Sequence, residues 1–288
     1  MFVVAGASGR TGKVVAETLL SQGKKVRVIV RDPHKGEPWR ARGAEVAVAS
    51  LDDARAIERA LAAVTGFFTF LPEDGGVHDF NAHRRRIADA TCAAVRESHV
   101  PHVAVLSGTA AFLSHGNGLA KELHYLENLL LGVGSRVTVI RAVGFQENVA
   151  MALPAARHEG VYPNFMPSAD VAFPTVATRD IGRFAASCLV ETPAKSEIVD
   201  MLGPAYSVRQ MAEKLGVALG KTLRLVDVPA PAHVDVLTRA GLPKQFAESL
   251  AEFFACVASG RVSPRGDRTV TGKTTLDEIL PGLIAATA

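Results

Sequence analysis

The stretch Phe2-Val3-Val4-Ala5-Gly6-Ala7-Ser8-Gly9-Arg10-Thr11-Gly12 decides the fold. Four apolar residues read as a strand, and an amphipathic helical pattern begins at Gly12 and runs to 21. The loop between them carries glycines at 6, 9 and 12. A tight strand-to-helix turn needs a residue without a Cβ. Close approach of the backbone to a pyrophosphate needs a second, and the first helical turn then offers free N–H groups to the anion. The spacing is G-x-x-G-x-x-G rather than G-x-G-x-x-G. Alone it is also compatible with an ordinary glycine-rich turn. Its place between a strand and a helix makes it a candidate phosphate cradle, with Gly6, Ser8, Gly9, Arg10, Thr11 and Gly12 as the binding positions.

Working outward, short β-branched runs recur at 2–5, 25–30, 45–49, 66–71, 102–106 and 136–140. Each is nearly continuously apolar, as in strands covered on both faces. Between them lie helical patterns at 12–21, 53–62, 79–97 and 119–131, with Gly23 and Gly43 where C-caps fall. This rhythm predicts an α/β, doubly wound parallel sheet of Rossmann type, with helices on both faces. After Val143 the rhythm breaks, and Pro154, Pro163, Pro167 and Pro174 mark a loop-rich segment. A helix at 179–190 and a strand at 197–201 follow. Ser207 and Gln210 form a capping-box pattern that opens a helix to 219. A strand at 222–228, helices at 230–240 and 243–260, and a last helix from about 274 complete the chain. The expected organisation is a Rossmann domain at 1–149 with a returning segment at about 175–202. A smaller α+β substrate domain comprises about 150–174 and 203–288.

The 288 residues are 48% hydrophobic and 21% charged, which excludes a disordered chain. Net charge is +3, and the densest basic run, Arg84-Arg85-Arg86, reads as a solvated helix face rather than a nucleic-acid patch. No apolar run approaches the ~18 residues of a membrane span, and the N-terminus shows no leader pattern. Cys92, Cys188 and Cys256 lack metal spacing and read as buried thiols of a reducing, cytoplasmic compartment. The nine histidines show no ligand spacing, so no metal is expected.

The second strand bears on the ligand. Chains that bind NAD usually end it with an acid for the ribose 2′-hydroxyl. Here it ends on Arg31, a partner for a 2′-phosphate. Arg10 and Lys35 either converge on the same group or are simply solvated. Asp32, one residue on, is the opposing signal. Three cations against one acid point to NADP(H).

Together, Gly-Ala-Ser-Gly-Arg-Thr-Gly, Val30-Arg31-Asp32-Pro33-His34-Lys35 and Leu106-Ser107-Gly108 resemble the NmrA-like group of atypical short-chain dehydrogenase/reductases. So do Ala120-Lys121, Ile140-Arg141, Phe145-Gln146-Glu147-Asn148, Thr178-Arg179-Asp180-Ile181-Gly182 and Val270-Thr271-Gly272-Lys273. The resemblance covers nearly the whole chain in order. It implies quinone oxidoreductase or triphenylmethane-dye reductase chemistry, or NADP-sensing regulation with little catalysis. It also implies that Lys121 reaches the cofactor from its helix. Many relatives place an adenine-binding Asp after the third strand. Here Ser50 stands there, so either Asp52, Asp53 or the backbone takes over that contact, or Ser50 is simply a helix N-cap with Asp53 at N3.

A Tyr-x-x-x-Lys dyad would need Tyr at 117, where this chain has Asn117. Tyr125 shares a helix face with Lys121 and Asn128, opposite Leu119, Leu123, Leu126 and Leu130. Lys121 is therefore either a catalytic and cofactor-binding residue or solvent-facing, and Tyr125 either a substrate contact or solvent-facing. Without the tyrosine, reduction of a quinone or another conjugated small molecule fits better than alcohol dehydrogenation. Leu71 and Pro72 are expected to flank the nicotinamide, and Ser107 the cofactor. Phe145 reads as an acceptor wall or a core residue, and Asn148 as a substrate contact or a loop brace. The leading expectation is an NADPH-dependent oxidoreductase, monomeric or homodimeric, acting on a small-molecule acceptor. The alternative is a non-catalytic NADP(H) sensor that binds a protein partner.

Overall fold

The computed structural model describes residues 1–74 and 76–286. Strand β1 (Phe2–Ala5) leads into α1 (Arg10–Ser21), β2 (Val26–Val30), α2 (Glu37–Arg40), β3 (Glu45–Val48) and α3 (Ala54–Ala60). Then come β4 (Gly66–Phe70), α4 (Phe80–Ser98), β5 (His102–Gly108), α5 (Lys121–Leu131) and β6 (Arg136–Ala142). The second half holds β7 (Gly144–Phe145), α6 (Leu153–His158), β8 (Val161–Asn164), β9 (Phe173–Val176), α7 (Thr178–Val190) and β10 (Glu197–Leu202). It closes with β11 (Ala205–Tyr206), α8 (Val208–Leu219), β12 (Arg224–Asp227), α9 (His233–Arg239), α10 (Lys244–Ala258), β13 (Arg268–Thr271) and α11 (Leu276–Ala286).

Eight parallel strands form one sheet in the order β13-β10-β6-β5-β4-β1-β2-β3. This is the expected doubly wound architecture. The direction of winding reverses between β1 and β4, which opens a crevice at their carboxyl ends. One face is covered by α3, α4 and α5, through Ile57, Ile87, Leu126 and Leu130. The other is covered by α1 and α7, through Val15, Leu19, Ile181 and Ala185. Gly182 lets α1 and α7 touch, since a Cβ there would meet Val14 Cβ at 2.6 Å. A separate core joins α6, α8 and α11 through Leu153, Met211, Leu215 and Leu280, and another joins α9 and α10 through Leu237, Ala247 and Leu250.

Three sequence expectations change. The segment 203–288 was assigned wholly to the smaller unit, yet β13 pairs with β10 at the edge of the large sheet. Helix α3 is capped by Asp53, whose Oδ1 accepts from Ala56 N at 3.0 Å, so Ser50 is not the cap. Arg84-Arg85-Arg86 is not one solvated face. Arg84 is buried and donates to Leu119 O at 2.7 Å, while Arg85 pairs with Glu122 and lies over the Tyr125 ring. The capping box of α8 forms as read, with Ser207 and Gln210 each bonded to the other's backbone N–H.

Candidate active site

The glycine loop sits at the carboxyl end of β1, beside the crevice. Gly6 adopts φ +68°, and a Cβ there would fall into the ring of Phe70 at the end of β4. A Cβ on Gly12 would strike the Ala5 carbonyl oxygen at 2.6 Å, so this glycine permits helix–strand packing. Gly9 differs from both. Its backbone is extended, its N–H bonds Gly6 O at 2.8 Å, and a Cβ would meet only that oxygen, at 3.3 Å. The space beyond Gly9 is open, and it lies over the first turn of α1. No side chain caps α1 and no acid lies in that turn. The positive end of the helix dipole is left for an anion.

Arg10 opens α1, Arg31 follows β2 and Lys35 lies in the turn after it. Arg10, Arg31 and Lys35 are all exposed. Asp32, the opposing signal in the sequence, is engaged elsewhere. Its Oδ1 accepts from His34 N at 2.9 Å and caps its own 3-10 turn. Ser8 is exposed and Thr11 half-buried at the same loop. The loop suits a dinucleotide phosphate, and the exposed cations suit a second one, with Arg31 already sharing one arm with Asp74.

The other predicted residues are distributed less evenly. Leu71 is buried in the core on the α3–α5 side, while Pro72 is half-buried. Strand alternation explains this: Phe67 and Leu71 share one face, and Phe68 and Phe70 the other. Phe70, missed in the sequence, therefore lies against Gly6, and a stricter reading of period 2 finds it. Ser107 is buried, and its hydroxyl donates to Glu127 Oε1 at 2.5 Å. Glu127 also receives both Nε and Nη2 of Arg141, forming a buried bidentate pair. Ser107 thus ties the end of β5 to α5 and β6. Phe145 packs against the core on the α1–α7 side, and Asn148 is exposed.

Helix α5 does not present the expected dyad. Tyr125 donates its hydroxyl to Asp89 Oδ1 at 2.7 Å on α4, and that bond raises its phenol above the ordinary range. Lys121 is exposed one turn earlier on the same stripe. Besides Glu127, the α5 side chain Leu123 meets the end of β5, with its Cδ1 3.3 Å from where a Gly108 Cβ would stand. Asn117 is fully buried and its Nδ2 donates to Ala110 O and Leu113 O, so it braces a turn. We expect Tyr125→Phe to cost about 1 kcal/mol or less in urea unfolding, the net worth of one hydrogen bond. Turnover of any acceptor should stay within about twofold of the parent. A loss of turnover far beyond that would return Tyr125 to the chemistry.

Glu73, after β4, is a further group that the sequence did not single out. Crowding by surrounding protein raises its carboxyl, against the pull of Arg84, although solvent still reaches the residue. Among the described residues no cluster of His, Cys, Asp and Glu could hold a metal, and no helix is long and apolar enough to cross a membrane.

The later motifs form a junction. Thr178 N and Oγ1 donate to Glu147 at 2.9 and 2.6 Å, capping α7. Asp180 receives Thr274 N and Oγ1 at 2.8 and 2.7 Å, and Gln146 Nε2 donates to Thr274 O at 2.8 Å. The segment after β6, the start of α7 and the segment after β13 are thereby fastened together beside the sheet.

A doubly wound parallel sheet with a glycine loop at the switch point defines a Rossmann protein. Within that class the chain belongs to the NmrA-like family, whose model matches residues 1–277. It is 27% identical over 255 residues to quinone oxidoreductase 2 of Escherichia coli strain K12, covering 88% of this chain and 86% of that protein. Its fold is similar to that of Citrobacter sp. triphenylmethane reductase, with a TM-score of 0.82, 21% identity and 99% of each chain covered. The NADPH-dependent quinone oxidoreductase of Escherichia coli complexed with NADPH gives a TM-score of 0.77 at 23% identity, covering 99% of this chain and all of that one.

Proposed function

We propose that this protein is an NADPH-dependent oxidoreductase that reduces a quinone or another conjugated small molecule. The observation that carries the reading is the uncapped start of α1, with exposed Arg10, Arg31 and Lys35 on the segments that open α1 and leave β2, while Asp32 is occupied in its own turn. The relatives support it, since one is a quinone oxidoreductase and one solved neighbour holds NADPH. In this reading the N–H groups of the α1 first turn hold the pyrophosphate. Arg31, with Lys35 and Arg10, holds the 2′-phosphate. When bound, NADPH supplies the hydride. The protein binds and orients both partners, and Tyr125 and Ser107 give no positioned acid because Asp89 and Glu127 already hold their protons. A conjugated acceptor tolerates that, because water can supply the proton. Lys121, exposed on the α4-facing stripe, is given no proton-transfer role.

The test has two parts. Calorimetry on Arg31→Ala should show NADPH affinity falling about 10- to 100-fold, equivalent to ~1.5–3 kcal/mol, with NADH almost unchanged. Equal losses for both would refute the phosphate assignment. NADPH oxidation should then be followed against quinones, triphenylmethane dyes and enals. Turnover supports the reductase. Tight binding without turnover supports the second reading, an NADP(H) sensor with a protein partner, which the missing acid at α5 also accommodates.

A further inference from the structure

In the sheet β1 lies between β2 and β4, so the segments leaving β2 and β4 flank the glycine loop on its two sides. Arg31 leaves β2 and Asp74 lies beyond β4. Arg31 Nη1 donates to Asp74 Oδ2 at 3.1 Å. Strands stand about 4.8 Å apart, so the two side chains, joined by this bond, reach across the roughly 10 Å between the ends of β2 and β4. The bond bridges the approach to the first turn of α1. Solvent reaches both partners, with 70% of the Arg31 side chain and 34% of the Asp74 side chain exposed. The hydrogen bond from Arg31 holds the Asp74 carboxyl below the ordinary carboxylate range, so Asp74 is an anion at neutral pH.

We propose that Asp74 is a specificity-determining residue that competes with the cofactor 2′-phosphate for the Arg31 guanidinium. The inference rests on the reading in which Arg31 is the phosphate's partner. A phosphate draws on the guanidinium fork, and one arm of that fork is already given to Asp74. The arriving phosphate also meets the negative charge of Asp74 itself. NADH brings no phosphate and makes no such demand on Arg31. Asp74 therefore weakens NADPH selectively and narrows the preference that Arg31 creates. Asp32 does not play this part, because its carboxylate caps the turn at His34. An exposed ion pair is weak, so the competition is modest in size.

The experiment is calorimetric titration of NADPH and NADH into the parent, Asp74→Asn, Arg31→Ala and the double variant. Asp74→Asn should tighten NADPH about fivefold and leave NADH within about twofold. In the Arg31→Ala background the same substitution should shift NADPH less than about twofold. Unchanged NADPH affinity in Asp74→Asn overturns the proposal. Weaker NADPH binding overturns it too, and makes Asp74 a residue that positions Arg31. The underlying reading fails on a different result, an equal loss of NADPH and NADH in Arg31→Ala.

Discussion

Gly9→Val should abolish binding of both NADPH and NADH while leaving the protein folded. The two neighbouring glycines cannot serve this test. Gly6 needs its positive φ, and Gly12 needs room against the Ala5 carbonyl, so side chains there damage the fold itself. Gly9 has an extended backbone that valine tolerates, and its only close neighbour is Gly6 O. The added methyl groups would stand in the open space above the α1 N-terminus, where the pyrophosphate must reach backbone N–H groups. Losing charge-assisted contacts to a buried anion costs several kcal/mol, enough to remove measurable affinity. Circular dichroism should match the parent, and calorimetry should show no heat of binding. Normal NADPH binding by a folded Gly9→Val protein would place the dinucleotide elsewhere.

The second large effect is on stability. Arg141→Met should destabilise the protein by about 3–5 kcal/mol in urea unfolding. The Arg141 and Glu127 side chains are 7% and 3% exposed, and the guanidinium gives Glu127 two arms of its fork. Removing it leaves a buried carboxylate with Ser107 as its remaining donor. The cost comes from stranding that charge rather than from the attraction alone. Replacing both residues, as in Arg141→Met with Glu127→Leu, should therefore recover much of the loss. A single variant that costs less than about 1 kcal/mol would show that water or a shifted proton already relieves Glu127.

The central strands were legible because burial on both faces demands continuous apolar runs, and 2–5, 66–71 and 102–106 have them. The edge strand β13 escaped the same test. Arg268-Thr269-Val270-Thr271 is mostly exposed, and its only apolar side chain is half-buried, so nothing in it reads as core. Helix α2 is four residues long and too short to show a period. The cap of α3 was misplaced because Ser50 and Asp53, three positions apart, are both good capping residues. At the candidate site, the glycine turn after β1 was readable because backbone geometry acts locally. The commitments of Ser107 to Glu127 and of Tyr125 to Asp89 were not, since each joins elements 20 or more positions apart. The Arg31–Asp74 contact likewise depends on which strands are neighbours, a property of topology and not of spacing.

That edge strand also bears on how the chain is made. Val199 of β10 finds its outer partner at Arg268 of β13, near the end of the chain. During synthesis β10 can dock on β6 long before β13 leaves the ribosome. Until then β10 offers a bare row of backbone donors and acceptors, the kind of border that recruits strands from other nascent chains. Sheet completion therefore waits on a segment translated well after β10, and folding through such distant pairings is slow. In the finished fold Asp200 holds the approach to β13 through the Arg265 and Gly266 amides, a clasp that cannot form before those residues are made.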